Sequence, residues 1–281
     1  MLFATIEVAT KLSGTSFNSI QLTFLRFFIG GVVLLPFALI DLKKRQLRLS
    51  AADLGYLLFI GTVCVGSMVF MQVSLLGINA NLVAIILSAN PLFTMIFAHF
   101  VANDPFTRRK ALVLALMLTG LIITANPKSL LEGSIAPFYM FCAIMASVTF
   151  GFYTAYGKRR VGRIGGIGQN ALSFLLGCSM LLIVMLIADI PVIEGINTQS
   201  APLLLYLGVF ATGLGYYFYL KAIDIGGPSM ASIAFFLKPM IAPIIAFAVL
   251  REPITPNLVI GLLFILAGSY INISHGLKKK A

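Results

Sequence analysis

Charge is scarce in this chain. Only 10% of its 281 residues are charged, whereas 59% are hydrophobic, and the mean hydropathy is +1.01. An ordinary soluble domain carries about 25% charged residues, because its surface faces water. So few charges cannot cover a globule of this size. The composition therefore excludes a soluble domain and predicts an integral membrane protein.

Residue types that carry catalysis or bind metals are also few. Cys64, Cys142 and Cys178 lie singly inside apolar stretches, with no CxxC spacing, and we expect them to be small buried core residues. The two histidines, His99 and His275, have no Ser or Asp constellation, and no nucleotide-binding motif is present. The sequence thus predicts no catalytic residue, no cofactor and no metal site, which disfavours an enzyme or an ATP-driven pump.

Long apolar runs dominate what is present. About 20 apolar residues of helix cross a bilayer, and these runs are continuous, whereas barrel strands alternate. A further segment, from Met1 to about Leu12, is too short to cross. We therefore expect an all-α protein with ten transmembrane helices, the first one shortened. The nine clear spans cover about 18–40, 51–76, 80–102, 108–125, 134–157, 167–190, 201–224, 229–250 and 256–275.

Basic residues orient these spans. Of the 20 Lys and Arg residues, about fourteen lie in one set of alternate loops and the C-terminal tail, against only Lys128 and Arg251 in the opposite loops. Because cytoplasmic loops carry the excess of Lys and Arg, we expect a multi-pass protein of the cytoplasmic membrane with both termini in the cytoplasm. The basic residues occur in short separate runs, so the net charge of +11 does not predict nucleic-acid binding.

The two halves of the chain match each other at a shift of 147–148 residues. Each half holds five spans, an odd number, so the second copy would enter the membrane from the opposite side. We predict inverted repeats at 1–127 and 128–281, an arrangement typical of secondary transporters; the alternative is a duplication that merely made a larger bundle. The matching elements are Asp104-Pro105-Phe106-Thr107 with Glu252-Pro253-Ile254-Thr255, Asn90-Pro91 with Lys238-Pro239, Gly61 with Gly208, Gly30 with Gly177, and Gly120 with Gly268.

This pattern resembles the drug/metabolite transporter superfamily, and within it the EamA-type family. The acid-x-x-Thr elements after the fourth and ninth spans and the Gly-centred fifth and tenth spans carry the resemblance, with Leu25-Arg26-Phe27 and Phe236-Leu237-Lys238-Pro239 as further matches. The resemblance implies a carrier that exports or imports small metabolites, often amino acids, by alternating access. It also implies a central cavity lined by the first, third, fourth, sixth, eighth and ninth spans.

Lys238 is the strongest candidate for a site residue. It lies near the middle of its span, where a Lys is costly unless it faces a wet cavity or an acidic partner. Pro239 and Pro243 remove amide donors from the same helix, and Pro91 does so beside Asn90 in the first half. Paired helix breaks at equivalent depths are typical of a transporter site.

Further polar side chains inside the spans are candidates for the same cavity. Glu7 and Lys11 are four residues apart and share a helix face, so they either pair with each other or bind substrate. A pair of Glu7 with Lys238 is the third alternative. We expect Arg26, near the end of the second span, to reach the membrane interface. The remaining substrate-binding candidates are Asn90, Gln72, Tyr153, Tyr216 and Tyr219, with aromatic anchoring at the interface as the alternative for the tyrosines.

The predicted function is a secondary transporter that moves an amino acid or an organic anion across the membrane. The embedded charges lean positive, which favours a substrate with a carboxylate. A channel or a membrane-embedded enzyme is the alternative, and a channel usually needs several subunits or a ring of like residues. The predicted partners are a small-molecule substrate and the lipid bilayer. A coupling proton on Glu7, the direction of transport and the oligomeric state stay open.

Overall fold

The computed structural model is helical, and it describes residues 2–13, 16–102, 107–126 and 136–278. Side chains are described in these ranges except at 102, 222–236 and 272–278. No strand occurs within the described ranges. A 3₁₀ turn at Leu2–Thr5 precedes α1. The helices are α1 (Ile6–Leu12), α2 (Ser19–Lys44), α3 (Ala51–Ser74), α4 (Ala80–Ser88), α5 (Asn90–Ala102), α6 (Arg108–Ala125), α7 (Pro137–Ile164), α8 (Gly166–Ile187), α9 (Ala201–Leu205) with a π-helical continuation at Tyr206–Leu214, α10 (Gly215–Leu250) and α11 (Pro256–Lys278).

Several helices in the described part of the chain are long and apolar enough to cross a membrane, which makes the chain a multi-pass membrane protein. The prediction of ten spans remains a prediction. The acid-Pro-x-Thr element at 104–107 lies mostly outside the described residues. The six candidate spans are Ser19–Lys44, Ala51–Ser74, Ala80–Val101, Pro137–Ile164, Gly166–Ile187 and Ala201–Lys221, and the shorter apolar helices are Leu237–Leu250 and Pro256–Ile271.

Polar caps fix where the membrane helices begin. At the start of α2, Asn18 Oδ1 accepts a hydrogen bond from the Ile20 amide. At the start of α3, the Asp53 amide donates to Ser50 Oγ, while Asp53 Oδ2 accepts from the Ser50 amide. Such caps satisfy the amide groups that a helix leaves free in its first turn. The apolar runs therefore end at defined residues.

The predicted helix break at Pro91 coincides with a break in the structure. α4 ends at Ser88 and α5 begins at Asn90, with Ala89 between them. The Ala89 amide donates to the Ile86 carbonyl, a tight turn three residues long. The missing amide of proline favours such an interruption. Asn90 is thereby placed at the start of a new helix in the interior of the protein.

The breaks predicted at Pro239 and Pro243 are wrong, because α10 is helical throughout Gly215–Leu250. Proline removes one amide donor, but its φ angle is helical, so a helix can continue with a missing hydrogen bond. α10 also joins what the sequence predicted as two spans, 201–224 and 229–250. Tyr216 and Lys238 nevertheless line one small cavity, although a straight helix would separate them by about 33 Å. α10 therefore cannot be one straight helix between these two residues.

Close helix contacts join the two halves of the chain. α2 packs against α8, α3 against α7 and α8, and α6 against α11. A β-carbon on Gly61 would overlap the Ser173 carbonyl oxygen, and one on Gly177 would overlap Gly61. The backbones of α3 and α8 therefore touch at a site that only glycine permits.

Candidate functional site

A buried ion pair joins α1 to α10. Lys238 Nζ donates to Glu7 Oε1 at 2.6 Å. Glu7 is completely buried and Lys238 is 8% exposed. Charged groups at this depth are costly unless they are paired, and this pair is one of the alternatives that the sequence left open. The second oxygen, Glu7 Oε2, is buried and has no hydrogen-bond partner among the described residues.

A small cavity of about 40 Å³ adjoins this pair. Four of the predicted site residues meet there, since Glu7, Asn90, Tyr216 and Lys238 all line it. Room for a water requires roughly 10–15 Å³, whereas pockets for small ligands measure about 300–1,000 Å³. The helices are therefore closed around the site in this conformation. The rest of the lining is mostly apolar and consists of Phe3, Ile6, Met68, Met71, Leu87, Ser88 and Phe150.

Lys11 lies outside the cavity lining, in a second ion pair. Its Nζ donates to Glu252 Oε1 at 2.8 Å and to the Ile78 carbonyl at 3.1 Å. Glu252 also accepts hydrogen bonds from the amides of Ala80 and Asn81, at the start of α4. Lys11 thus connects the end of α1 to the segment after α10, instead of pairing with Glu7.

The remaining predicted polar residues bond other polar side chains or stack on an aromatic ring. Gln72 Nε2 donates to Thr23 Oγ1 at 2.9 Å, and the Tyr153 hydroxyl donates to Asn170 Oδ1 at 2.6 Å. Neither Gln72 nor Tyr153 is part of the cavity lining. Tyr219 packs edge-on against Phe3, with 6.0 Å between ring centroids.

Tyr216 is the tyrosine that reaches the cavity. Its ring packs edge-on against Phe3 and Phe174, with 5.0 Å between centroids in each case. These contacts bring the 3₁₀ turn before α1, helix α8 and the start of α10 together around one side of the cavity. The aromatic cluster therefore holds the Tyr216 ring in place as part of the wall.

Arg26 is the charged residue whose placement the sequence analysis missed. We expected it at the membrane interface, but it is only 1% exposed, so that expectation is wrong. Its Nε and Nη1 atoms are buried without a hydrogen-bond partner. Arg26 interacts electrostatically with Glu7 and Tyr216, which both line the cavity. The sequence does contain a signal for this burial, because Arg26, like Lys238, is a charged residue inside an apolar span.

A further ionic cluster joins α3 to α7. Asp53, which is completely buried, accepts hydrogen bonds from Arg160 at 2.6 Å and from Arg163 at 3.0 Å. α3 runs from this cluster to the end where α4 begins. The Asp53 cluster and the Lys11–Glu252 cluster therefore lie at opposite ends of α3, with the cavity between them.

Comparisons with known proteins agree on one family. A model of the EamA-like transporter family matches residues 1–126 and 137–274. An uncharacterised transporter of Clostridium kluyveri is 33% identical, over 99% of this chain and 91% of that protein. An S-adenosylmethionine uptake transporter of Rickettsia prowazekii is 25% identical, over 88% of this chain and 80% of that protein. A solved crystal structure has a TM-score of 0.68 and 18% identity, covers 100% of this chain and 95% of its own, and indicates a shared fold alone.

Proposed function

The chain belongs to the EamA-like transporter family, and from that premise we propose that it is a secondary carrier for a small metabolite with an anionic group. Family and relatives indicate transport of a small molecule rather than catalysis. The observation that carries the finer proposal is the Glu7–Lys238 pair beside a closed internal cavity. A buried Lys that can exchange its partner suits an anionic substrate, and Glu7 suits the ammonium group of an amino acid.

The ionic clusters at the two ends of the molecule support alternating access. Lys11 with Glu252 joins α1, α4 and α10 at one end, and Asp53 with Arg160 joins α3 and α7 at the other. A carrier must open its central site to one side at a time. If one cluster opens while the other stays paired, the central site is accessible from one side of the membrane at a time.

We further propose that 1–127 and 128–281 are inverted repeats related by a pseudo-two-fold axis in the membrane plane. Gly61 contacts Gly177, and the repeat shift converts this pair into Gly208 and Gly30. Gly208 and Gly30 also lie together, since a β-carbon on Gly30 would be 3.3 Å from the Gly208 carbonyl oxygen. A two-fold axis between the repeats would convert the Gly61–Gly177 contact into the Gly208–Gly30 contact. The presence of both contacts therefore supports the proposal.

S-Adenosylmethionine is a specific substrate to examine. Relatives from three Rickettsia species carry the name S-adenosylmethionine uptake transporter. The methionine part of that molecule has a carboxylate and an ammonium group, which are complementary to Lys238 and Glu7. This favours amino acids and their derivatives over dicarboxylates as the class of substrate.

The decisive experiment is uptake into proteoliposomes that contain the purified protein. Labelled amino acids, organic anions and S-adenosylmethionine are compared for saturable uptake and for exchange with unlabelled substrate inside. We expect saturation and exchange for one class, and at least about a tenfold loss in Lys238→Met, equivalent to about 1.4 kcal/mol of substrate interaction. The matched control is Lys43→Met, which removes an equal charge at an exposed position outside the cavity lining and should keep most of the activity.

Each alternative function has its own outcome in this experiment. Flux that rises in proportion to concentration without exchange would identify a channel, and chemical conversion of the substrate would identify an enzyme. Normal uptake by Lys238→Met would remove Lys238 from the site. A pH gradient applied across the vesicles tests the coupling proton, because proton-coupled uptake would respond to the gradient even without substrate exchange.

A further inference from the structure

Arg26 is a buried cation with two guanidinium nitrogens that lack a hydrogen-bond partner in the described part of the structure. Its side chain is 1% exposed, and both Nε and Nη1 are unpaired. The Phe27 ring lies 4.9 Å from its Cζ atom, which is a weak contact by comparison with an ion pair. Buried polar groups are almost always hydrogen-bonded, so two unpaired nitrogens on one guanidinium indicate that this conformation leaves a partner missing.

Glu7 is a candidate for the missing partner of Arg26. Arg26 on α2 interacts electrostatically with Glu7 on α1, and Glu7 Oε2 is itself unpaired among the described residues. Arg26 is not part of the cavity lining, whereas Glu7 and Lys238 are. Glu7 therefore interacts with two cations, and in this conformation its hydrogen bond is to Lys238.

Among the described side chains, the charges of Arg26, Lys238 and Glu7 do not balance. Arg26 and Lys238 contribute two positive charges and Glu7 contributes one negative charge. A net charge in a low-dielectric interior is unfavourable, and a further anion would neutralise it. A substrate with one anionic group at this site would complete two ion pairs, one for each cation.

We propose that Arg26 is the reserve partner of Glu7: the Glu7 carboxylate turns to Arg26 when the anionic group of a substrate binds Lys238. This inference rests on the proposed carrier function and assigns its substrate class, a carboxylate or another monoanionic group. Lys238 is released because Glu7 has a second cation to bind. The carboxylate has two oxygens, so one can accept from Arg26 while the other accepts from the ammonium group of an amino-acid substrate. Arg26 acts through Glu7 and is a positioning residue.

A cycle of variants tests the reserve partner without any substrate. The melting temperature (Tm) of the purified protein is measured for wild type, Arg26→Gln, Lys238→Met and the double variant. Arg26→Gln should keep or raise the Tm, because it removes an unpaired buried charge. Lys238→Met should lower it only modestly, because Glu7 turns to Arg26. In the double variant the fall in Tm should be more than twice the sum of the falls in the single variants, or the protein should fail to fold. The reason is that Glu7 then has neither cation.

The control cycle combines Arg26→Gln with Lys11→Met, and its losses should be additive, since Lys11 pairs with Glu252. Additive losses in the Lys238 cycle would overturn the proposal. Failure of Lys238→Met alone to fold would do the same, because Arg26 would then not substitute for Lys238. A Tm loss in Arg26→Gln as large as in the double variant would identify Arg26 as a purely structural residue.

Three probes of matched shape test the substrate class by the Tm shift that they cause. They are L-methionine, its methyl ester, which lacks the carboxylate, and 4-methylthiobutanoate, which lacks the ammonium group. The two carboxylates should raise the Tm of wild type and bind at least tenfold more weakly to Arg26→Gln, whereas the ester should have no effect. Equal stabilisation by the ester, or no stabilisation by either carboxylate, would refute the assignment of an anionic substrate.

Failure of this inference is distinguishable from failure of the proposed function. A non-additive cycle with no saturable uptake in vesicles would retain the exchange of partners and reject the carrier. An additive cycle with saturable uptake would retain the carrier and reject the role of Arg26.

Discussion

Two buried carboxylates, Asp53 and Glu7, differ in how completely they are paired. Asp53 Oδ1 accepts a hydrogen bond from Arg160, and Oδ2 accepts from Arg163 and from the helix cap. Glu7 has one described donor, Lys238, and one spare oxygen. Buried polar networks that are fully satisfied make a structure rigid. Asp53 therefore fixes α3 to α7, whereas Glu7 has the freedom to change its partner.

This difference predicts a large effect of Asp53→Asn on stability. The substitution removes the charge from two hydrogen bonds to arginines, and hydrogen bonds to charged groups are stronger than neutral ones. We expect a fall in Tm several times larger than that of Asp41→Asn. Asp41 is the matched control, since it forms a partly exposed pair with Arg45 on one helix, and such pairs stabilise little. Equal Tm values for the two variants would show that the Asp53 cluster does not hold the helices together.

At the scale of helices, the contact between α3 and α8 depends on glycine at one position and not at another. Gly61 leaves no room for a β-carbon, whereas a β-carbon on Gly66 of the same helix would meet nothing within 4 Å. Gly61→Ala should destabilise the protein by about 1–3 kcal/mol, because the two backbones must separate. Gly66→Ala should be neutral or stabilise by roughly 0.5–1 kcal/mol, since alanine favours a helix. Thermal unfolding of both variants checks this, and a loss in Gly66→Ala equal to that in Gly61→Ala would contradict it.

Helix positions could largely be predicted from the sequence, but continuity through prolines could not. The span predicted at 108–125 begins and ends with α6, because Thr107 caps its start and apolar residues continue to Ala125. Pro91 and Pro239 remove an amide in the same way, yet α4 ends just before Asn90-Pro91 while α10 passes through Pro239. The outcome depends on packing against neighbouring helices, which the residue pattern does not contain.

At the scale of the whole molecule, the sequence indicated which residues need partners but not which partners they have. Glu7, Asn90, Tyr216 and Lys238 line the cavity, and their part in binding a substrate stays a prediction. Lys11 shares a helix face with Glu7 but pairs with Glu252, because the segment after α10 folds back onto the end of α1. Such a contact joins residues 241 positions apart, and local spacing gives no information about it.

The orientation of the molecule in the membrane is the last prediction. The asymmetry of basic residues places the loop before α3 in the cytoplasm and the loop between α8 and α9 outside. Ile193→Cys, at a position that is 75% exposed, should react with a membrane-impermeant maleimide in intact cells. Lys43→Cys, also at an exposed position, should react only after permeabilisation. The three native cysteines are buried, so the parent protein serves as an unreactive background. In this orientation we expect the Asp53 cluster at the cytoplasmic end and the Lys11–Glu252 pair at the outer end. The opposite pattern of labelling would reverse both.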